Sequence, residues 1–291
     1  MKPPRDRAIM SPHDFRKTGV KIAYGFMVIG VCLISLSMLY PFVNTFLNSL
    51  KSTEEFFAFP PPFFPSRWLW QNYKDSLDYL DIFLYFKNTL YIYAGNALVS
   101  LTFMGLAAYS LAHLKVPAKK WISLYFMSTL MIPAASYLIP NFLNLKDLGL
   151  LNTFWAFWLP AGANAFYLLI LINFFEGIHK EMLESARIDG ASEFRCVLSI
   201  AVPLSVPIIV TLLLLGFSTV WNDFYWSSLV LKTEKLPIGA AIYTMIIYPG
   251  STINWNVRFA ILTMTLVPPA VLFLFFQKYI IGGLSLGAVK G

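Results

Sequence analysis

At 291 residues, with 57% hydrophobic and 13% charged side chains, the chain is too apolar to cover a soluble domain with a polar surface, and it reads as a membrane protein. A net charge of +7 would suit nucleic acid, but the bases lie beside apolar runs instead of forming one stripe, which removes that class. Cys32 lies in an apolar run and Cys196 in a polar loop, so neither a disulfide nor a metal-ligand cluster is indicated.

Residues 1–21 carry Lys2, Arg5, Arg7, Arg16, Lys17 and Lys21 ahead of a first apolar run over about 22–47. That run is longer than a signal-peptide core and lacks a small-residue cleavage site, so it is expected to stay as an anchor with its basic flank in the cytoplasm. Residues 48–84 are expected outside as an ordered loop: Pro60, Pro61, Pro62 and Pro65 exclude a regular helix there, and Trp68, Trp70 and Tyr73 suit a membrane interface. The second run, 85–112, holds Asn88, Asn96 and small residues such as Gly95, Ala97, Ser100 and Ala108, which predicts a helix buried in the bundle. His113, Lys115, Lys119 and Lys120 follow as a basic inside turn.

The third and fourth runs cover about 121–140 and 154–175, with 141–153 outside between them. Pro133, Pro140 and Pro160 predict bent or broken helices of the kind that line transport pathways. Asn164 and Asn173, with Asn96, place amides at membrane depth, where they need hydrogen bonds from another helix or a water-filled cavity. These three are the pathway candidates.

Residues 176–203 are expected to form an inside loop, and Lys180 to Pro203 within it is the most polar interior stretch. Met182, Leu183 and Ala186 recur at helical spacing among Lys180, Glu181, Glu184, Arg187 and Asp189, predicting a short amphipathic helix. Gly190 can close it in the left-handed conformation, and Ser192 can cap a second helix with Phe194, Val197 and Leu198 on one side and Glu193 and Arg195 on the other. Two short helices at a tight turn make a compact knob. Pro203 and Pro207 then suit the first turns of a fifth run over about 203–220.

An external segment, 222–257, opens on the sequence WNDFYW and contains an apolar stretch, 237–248, too short to span. It is expected to be an exposed helix or loop touching an external partner, or a re-entrant segment. Pro268 and Pro269 interrupt the sixth run, 259–281, and the glycine-rich tail 283–291 is expected to be flexible and not helical.

No phosphate loop of the form G-x-x-x-x-G-K-[ST] and no H-E-x-x-H zinc motif occurs, so the chain is expected to bind no cofactor itself. The spans carry almost no charge, which counts against the alternative of an ion-coupled secondary transporter of a small polar solute.

Glu184, Ser185 and Ala186, then Gly190 after three residues, then Ile200, Val202 and Pro203, together resemble the EAA signature of ABC importer permeases, E-A-A-x3-G-x9-I-x-L-P. Ser185 stands for the second alanine and Val202 for the leucine. The run F-x-F-P-P-x-x-x-P from Phe57 to Pro65 and the ending G-A-V-K-G are similar to the MalG-type permeases of carbohydrate importers. The resemblance implies an all-α polytopic membrane protein of the type I ABC importer permease fold, with a six-span domain over 22–282 and a cytoplasmic two-helix coupling loop. It implies the bacterial cytoplasmic membrane, with both termini inside, and a pore subunit instead of an enzyme. The implied partners are a second homologous permease, two copies of an ABC ATPase that bind ATP and magnesium, an extracytoplasmic sugar-binding protein and a carbohydrate substrate. Coupling to the ATPase falls to Glu184, Ser185, Ala186, Asp189, Gly190, Ile200 and Pro203: Glu184 as a polar contact, Ala186 as a close-packed small face, Gly190 as the turn. Gly287, Lys290 and Gly291 are the implied ATPase-contacting tail.

Overall fold

The computed structural model describes residues 18–247 and 253–288, and every regular element among them is helical. The chain packs as two compact units, one running as far as Ser76 and including Asn254–Met264, the other comprising Leu77–Ile253 and the chain from Thr265 on.

In the first unit, α1 (Thr18–Ser49) is apolar along nearly its whole length, contains Pro41, and is buried only at Leu47, Asn48 and Ser49. Its other apolar side chains are presented outward, which suits a bilayer. Beyond it, α2 (Thr53–Phe57) begins with a capping box in which Ser52 Oγ accepts from the Glu55 N–H and the Glu55 carboxylate accepts from the Ser52 N–H. The proline-rich stretch that follows is non-helical as expected, and α3 (Gln71–Tyr79) closes the loop. Buried Lys51 donates to Asn48 Oδ1 at 2.8 Å and to the Pro62 carbonyl at 2.6 Å. Burial lowers its pKa, and these oxygens offset part of the desolvation cost. Asn72 donates to the carbonyls of Ser49 and Lys51 and accepts from Asn256, so the loop is tied down by amides.

The second unit is built on α4 (Ile82–His113), as its small residues predict. Around it lie α5 (Lys119–Thr129), α6 (Ala134–Asp147), α7 (Trp155–Ala161), α8 (Ala165–Glu176), α9 (Lys180–Ile188), α10 (Glu193–Cys196), α11 (Val202–Leu204), α12 (Val206–Asn222), α13 (Tyr225–Val230) and α14 (Ile238–Ala241). Helices α7, α8, α12 and α14 all pack against α4. A Cβ added at Gly95 would lie 2.0 Å from the Trp158 indole nitrogen, so the glycine is what lets that ring approach. Ser100 Oγ donates to the Ala161 carbonyl at 2.8 Å, and Tyr93 Oη to the Leu213 carbonyl at 3.2 Å.

α1, α4, the Trp155–Glu176 stretch and Trp255–Gln277 of α15 (Trp255–Ala288) are long and apolar enough to cross a membrane. Counting each of two bent pairs as one span brings the number among the described residues to six. The third run is broken, as its prolines predict, into two helices, α5 and α6, meeting at 99°; it departs from expectation in that α6 continues to Asp147 through residues expected outside the membrane. Pro133 disfavours helical geometry at Ile132, which breaks the run there, while Pro140 is accommodated inside α6.

Two further expectations are corrected. The apolar stretch after Pro237 is a buried helix, α14 continued by a π-helical segment, with Ile238, Ala240, Ala241 and Ile246 inside the unit. Asn88 of α4 donates to the carbonyls of Glu234 and Leu236, and Thr89 Oγ1 accepts from the Ile238 N–H, so the segment's backbone polar groups have partners. The tail is also helical: α15 runs on to Ala288, through Gly287. Each glycine costs a helix about 1 kcal/mol, a penalty smaller than that of leaving backbone groups unbonded where water is scarce. Lys290 and Gly291 lie outside the described residues.

Candidate functional site

The knob forms where the sequence places it. α9 ends at Ile188 with Asp189 as its C-cap, and Gly190 takes φ +84° with nothing within 4 Å of an added Cβ, so the backbone conformation alone demands glycine. The Gly190 N–H donates to the Arg187 carbonyl at 3.0 Å and the Ala191 N–H to the Ala186 carbonyl at 2.9 Å. These are the two bonds of a Schellman motif. Ser192 Oγ then accepts from the Arg195 N–H, opening α10, and a π-helical turn over Val197–Ala201 leads into α11. Arg187 pairs with Glu193 across the glycine turn, which raises the guanidinium pKa further and keeps it a cation at any working pH.

The knob has an inner and an outer apolar face. Leu183, Cys196, Val197 and Ala201 are buried against α4 and α8 residues such as Ala108, Tyr109 and Phe175. Ala186, Ala191, Ile200 and Val202 pack partly against the same cluster. Glu184, Ser185, Asp189 and Pro203 are exposed. The seven coupling candidates therefore share one knob but not one direction: Ala186 and Ile200 support it from inside, while Glu184, Ser185, Asp189, Gly190 and Pro203 are at its surface. The outer apolar side chains that no motif singled out are Ile188, 86% exposed, and Phe194, 60% exposed, with Met182 and Leu198 also exposed. A helix with apolar residues on two faces is the signal that points to them.

Toward the other end of α4, a cavity of about 640 Å³ is lined by Tyr93, Asn96, Ala97 and Ser100 of α4, by Tyr137 and Asn141 of α6, and by Pro160, Asn164 and Tyr167. Gly216, Thr219, Asn222, Asp223 and Trp226 close it from the α12 side. Among the described residues, no lysine, arginine or histidine lines it. Asn164 Oδ1 caps α8 by accepting from the Tyr167 N–H at 3.0 Å, and Tyr167 Oη donates to the Leu212 carbonyl at 2.7 Å. Asn96 Oδ1 is buried with no hydrogen-bond partner among the described residues. Asp223 accepts from the Ser227 hydroxyl and from the backbone of Trp226 and Ser227, so its carboxylate braces α13. Asn173 does not belong here. Its amide is exposed and donates to its own helix at the Leu169 carbonyl, 2.9 Å away.

Tyr93, Tyr137, Asn141, Thr219, Asn222 and Trp226 were not predicted. Asn141 falls in the stretch expected outside, and an aromatic in a membrane helix gives no sign of which way it points.

The sequence profile of a family described as "Binding-protein-dependent transport system inner membrane component" matches residues 102–286. The arabinooligosaccharides transport system permease protein AraQ of Halalkalibacterium halodurans is 30% identical over 282 residues, covering 95% of this chain and 99% of its own. The trehalose/maltose transport system permease protein MalG of Thermococcus litoralis is 28% identical over 272 residues, covering 91% and 96%. Among solved structures, a chain of a bacterial ABC transporter involved in import of the acidic polysaccharide alginate superposes with a TM-score of 0.82 at 24% identity, over 90% of this chain and 98% of that one. That likeness speaks for the fold.

Proposed function

The chain belongs to the family of binding-protein-dependent transport system inner membrane components, and from that premise we propose that it is one permease half of an ATP-driven carbohydrate importer. The reading pairs it with a second, homologous permease, two copies of an ABC ATPase and an external sugar-binding protein. The knob is the ATPase-docking element and stands on the cytoplasmic side with both termini, as the basic flanks suggest.

The observation that carries this reading is the knob's outer apolar face. Side chains as large as Ile188 and Phe194 are held outward on a turn fixed by a Schellman motif, beside the acidic Glu184 and Asp189. Exposed apolar groups rimmed by charge suit a protein cleft better than water. Ile188, Phe194 and Met182 supply the apolar contact, Glu184 and Asp189 the polar rim, and Ala186 and Ile200 the support beneath. ATP-driven closure of the partners moves the knob, and the packed helices above it shift the cavity between inward and outward access. Carbohydrate as the cargo is supported by the sugars the relatives are named for and by a cavity lined, among the described residues, with tyrosines and amides but no cation.

Co-expression with its neighbouring transport genes and purification tests the reading. The ATPase is expected to co-purify, and its hydrolysis in vesicles to rise when a binding protein and its sugar are added. A chain that purifies folded, without any ATPase and without sugar-stimulated hydrolysis, contradicts it.

A further inference from the structure

We propose that Arg187, Glu193 and Tyr109 form a clasp that makes the knob move with α4, so that α4, and not only the spans adjoining the knob in sequence, carries its displacement to the cavity. The proposal rests on the coupling reading above.

Glu193 is shared by two partners that are far apart in sequence. Arg187 Nε donates to its Oε1 at 2.7 Å and Nη2 to its Oε2 at 3.2 Å, a two-pronged contact from the knob's first helix to its second. Tyr109 Oη of α4 donates to the same Oε2 at 2.9 Å. An ion pair as exposed as this one, with side chains 33% and 43% accessible, contributes little by itself. Two features lift it above that level. The guanidinium fork is bidentate, which fixes direction as well as distance. Tyr109 is 2% exposed, with its ring against Phe175 at 6.2 Å and His113 at 5.3 Å between centroids, so packing fixes the hydroxyl before Glu193 reaches it.

The other end of the same helix supplies the consequence. α4 has no proline inside it, and its cavity-lining Asn96 stands 13 residues before Tyr109, about 20 Å along a straight helix. An uninterrupted helix moves as a rod because its kinks need proline, a π-bulge or an inserted group. Displacement of the knob is therefore delivered through Glu193 and Tyr109 to the helix that bears Tyr93, Asn96 and Ser100 on the cavity wall.

The test uses the complete transporter in vesicles and reads sugar transported per ATP hydrolysed. Tyr109→Phe keeps the ring and its packing but removes the donor. Glu193→Gln keeps the size but removes the charge. Each single variant is expected to retain the ATPase, since the knob's outer face is untouched, to go on hydrolysing ATP, and to lose about five-fold in transport per ATP. The double variant is expected to lose no more than the worse single, because both changes cut one network. An unchanged ratio in both singles overturns the clasp. So does loss of the ATPase from both, which assigns the cluster to docking, and so does a double variant showing the product of the two losses. An unaltered transporter chain that fails to hold the ATPase removes the coupling reading and the clasp with it.

Discussion

Replacing Gly190 isolates backbone conformation from packing. At φ +84°, with no atom within 4 Å of an added Cβ, a side chain meets open space, and the whole cost is that of forcing an L-residue into the left-handed region. That cost is about 1–2 kcal/mol for alanine, more for a β-branched residue, and less for asparagine, which tolerates the conformation. If the turn relaxes instead of bearing the strain, the two Schellman bonds to Arg187 and Ala186 are lost and the outer face is turned away from its partner. Thermal unfolding of detergent-purified chain and ATPase co-purification should therefore follow one order: Gly, then Gly190→Asn, Gly190→Ala and Gly190→Val. The midpoint is expected to fall by roughly 2–4 °C per kcal/mol for a chain of this size. Transport should collapse in Gly190→Val while membrane insertion persists. Equal midpoints and equal ATPase retention across all four would refute the reasoning, because no packing change is available to compensate.

Three further outcomes follow from the same geometry. Gly95→Ala puts a methyl about where the Trp158 indole now stands and should lower thermal stability by about 1–3 kcal/mol, read as a shifted midpoint with quenching or a spectral shift of tryptophan fluorescence; no change would mean that the ring is not packed there. Asn96→Leu should depress transport while Asn173→Leu leaves it within about two-fold, since only Asn96 lines the cavity and Asn173 bonds to its own helix; the reverse order would relocate the pathway. In a chain lacking Cys32 and Cys196, a membrane-impermeant thiol reagent applied to sealed cells should label single cysteines at Ser66 and Thr233 but not at Ala118 or Ser192, all four being exposed in the fold; the opposite pattern inverts the topology.

Much of the fold was legible because its determinants are local. Hydropathy marks the spans, and Gly190 and Ser192 carry the knob's turn in their own conformational and capping chemistry. What could not be read depends on partners distant in sequence. The stretch after Pro237 looked like an exposed segment because nothing near it signals that Asn88 and Thr89, nearly 150 residues earlier, take its backbone groups. Glu193 is legible only as part of the polar side of the second helix for the same reason, since Tyr109 stands 84 residues away. Ala186 and Ile188 are both apolar residues of one short helix, and sequence alone does not say that the first faces the chain's own core and the second faces out. The break at Pro133 was signalled by its proline, but the 99° angle is set by the packing around it.

The central claim is that the knob's outer face seats in an ATPase cleft, and the most direct measurement is co-purification of the ATPase with Ile188→Asp and Phe194→Asp, singly and together. Ile188 and Phe194 are 86% and 60% exposed in this chain, so aspartate there should leave its own stability within about 0.5 kcal/mol. If the face docks, the same substitutions bury a charge in an apolar contact, and the double variant should lose the ATPase and sugar uptake while inserting normally. Full ATPase retention and unaltered uptake by the double variant would contradict the account.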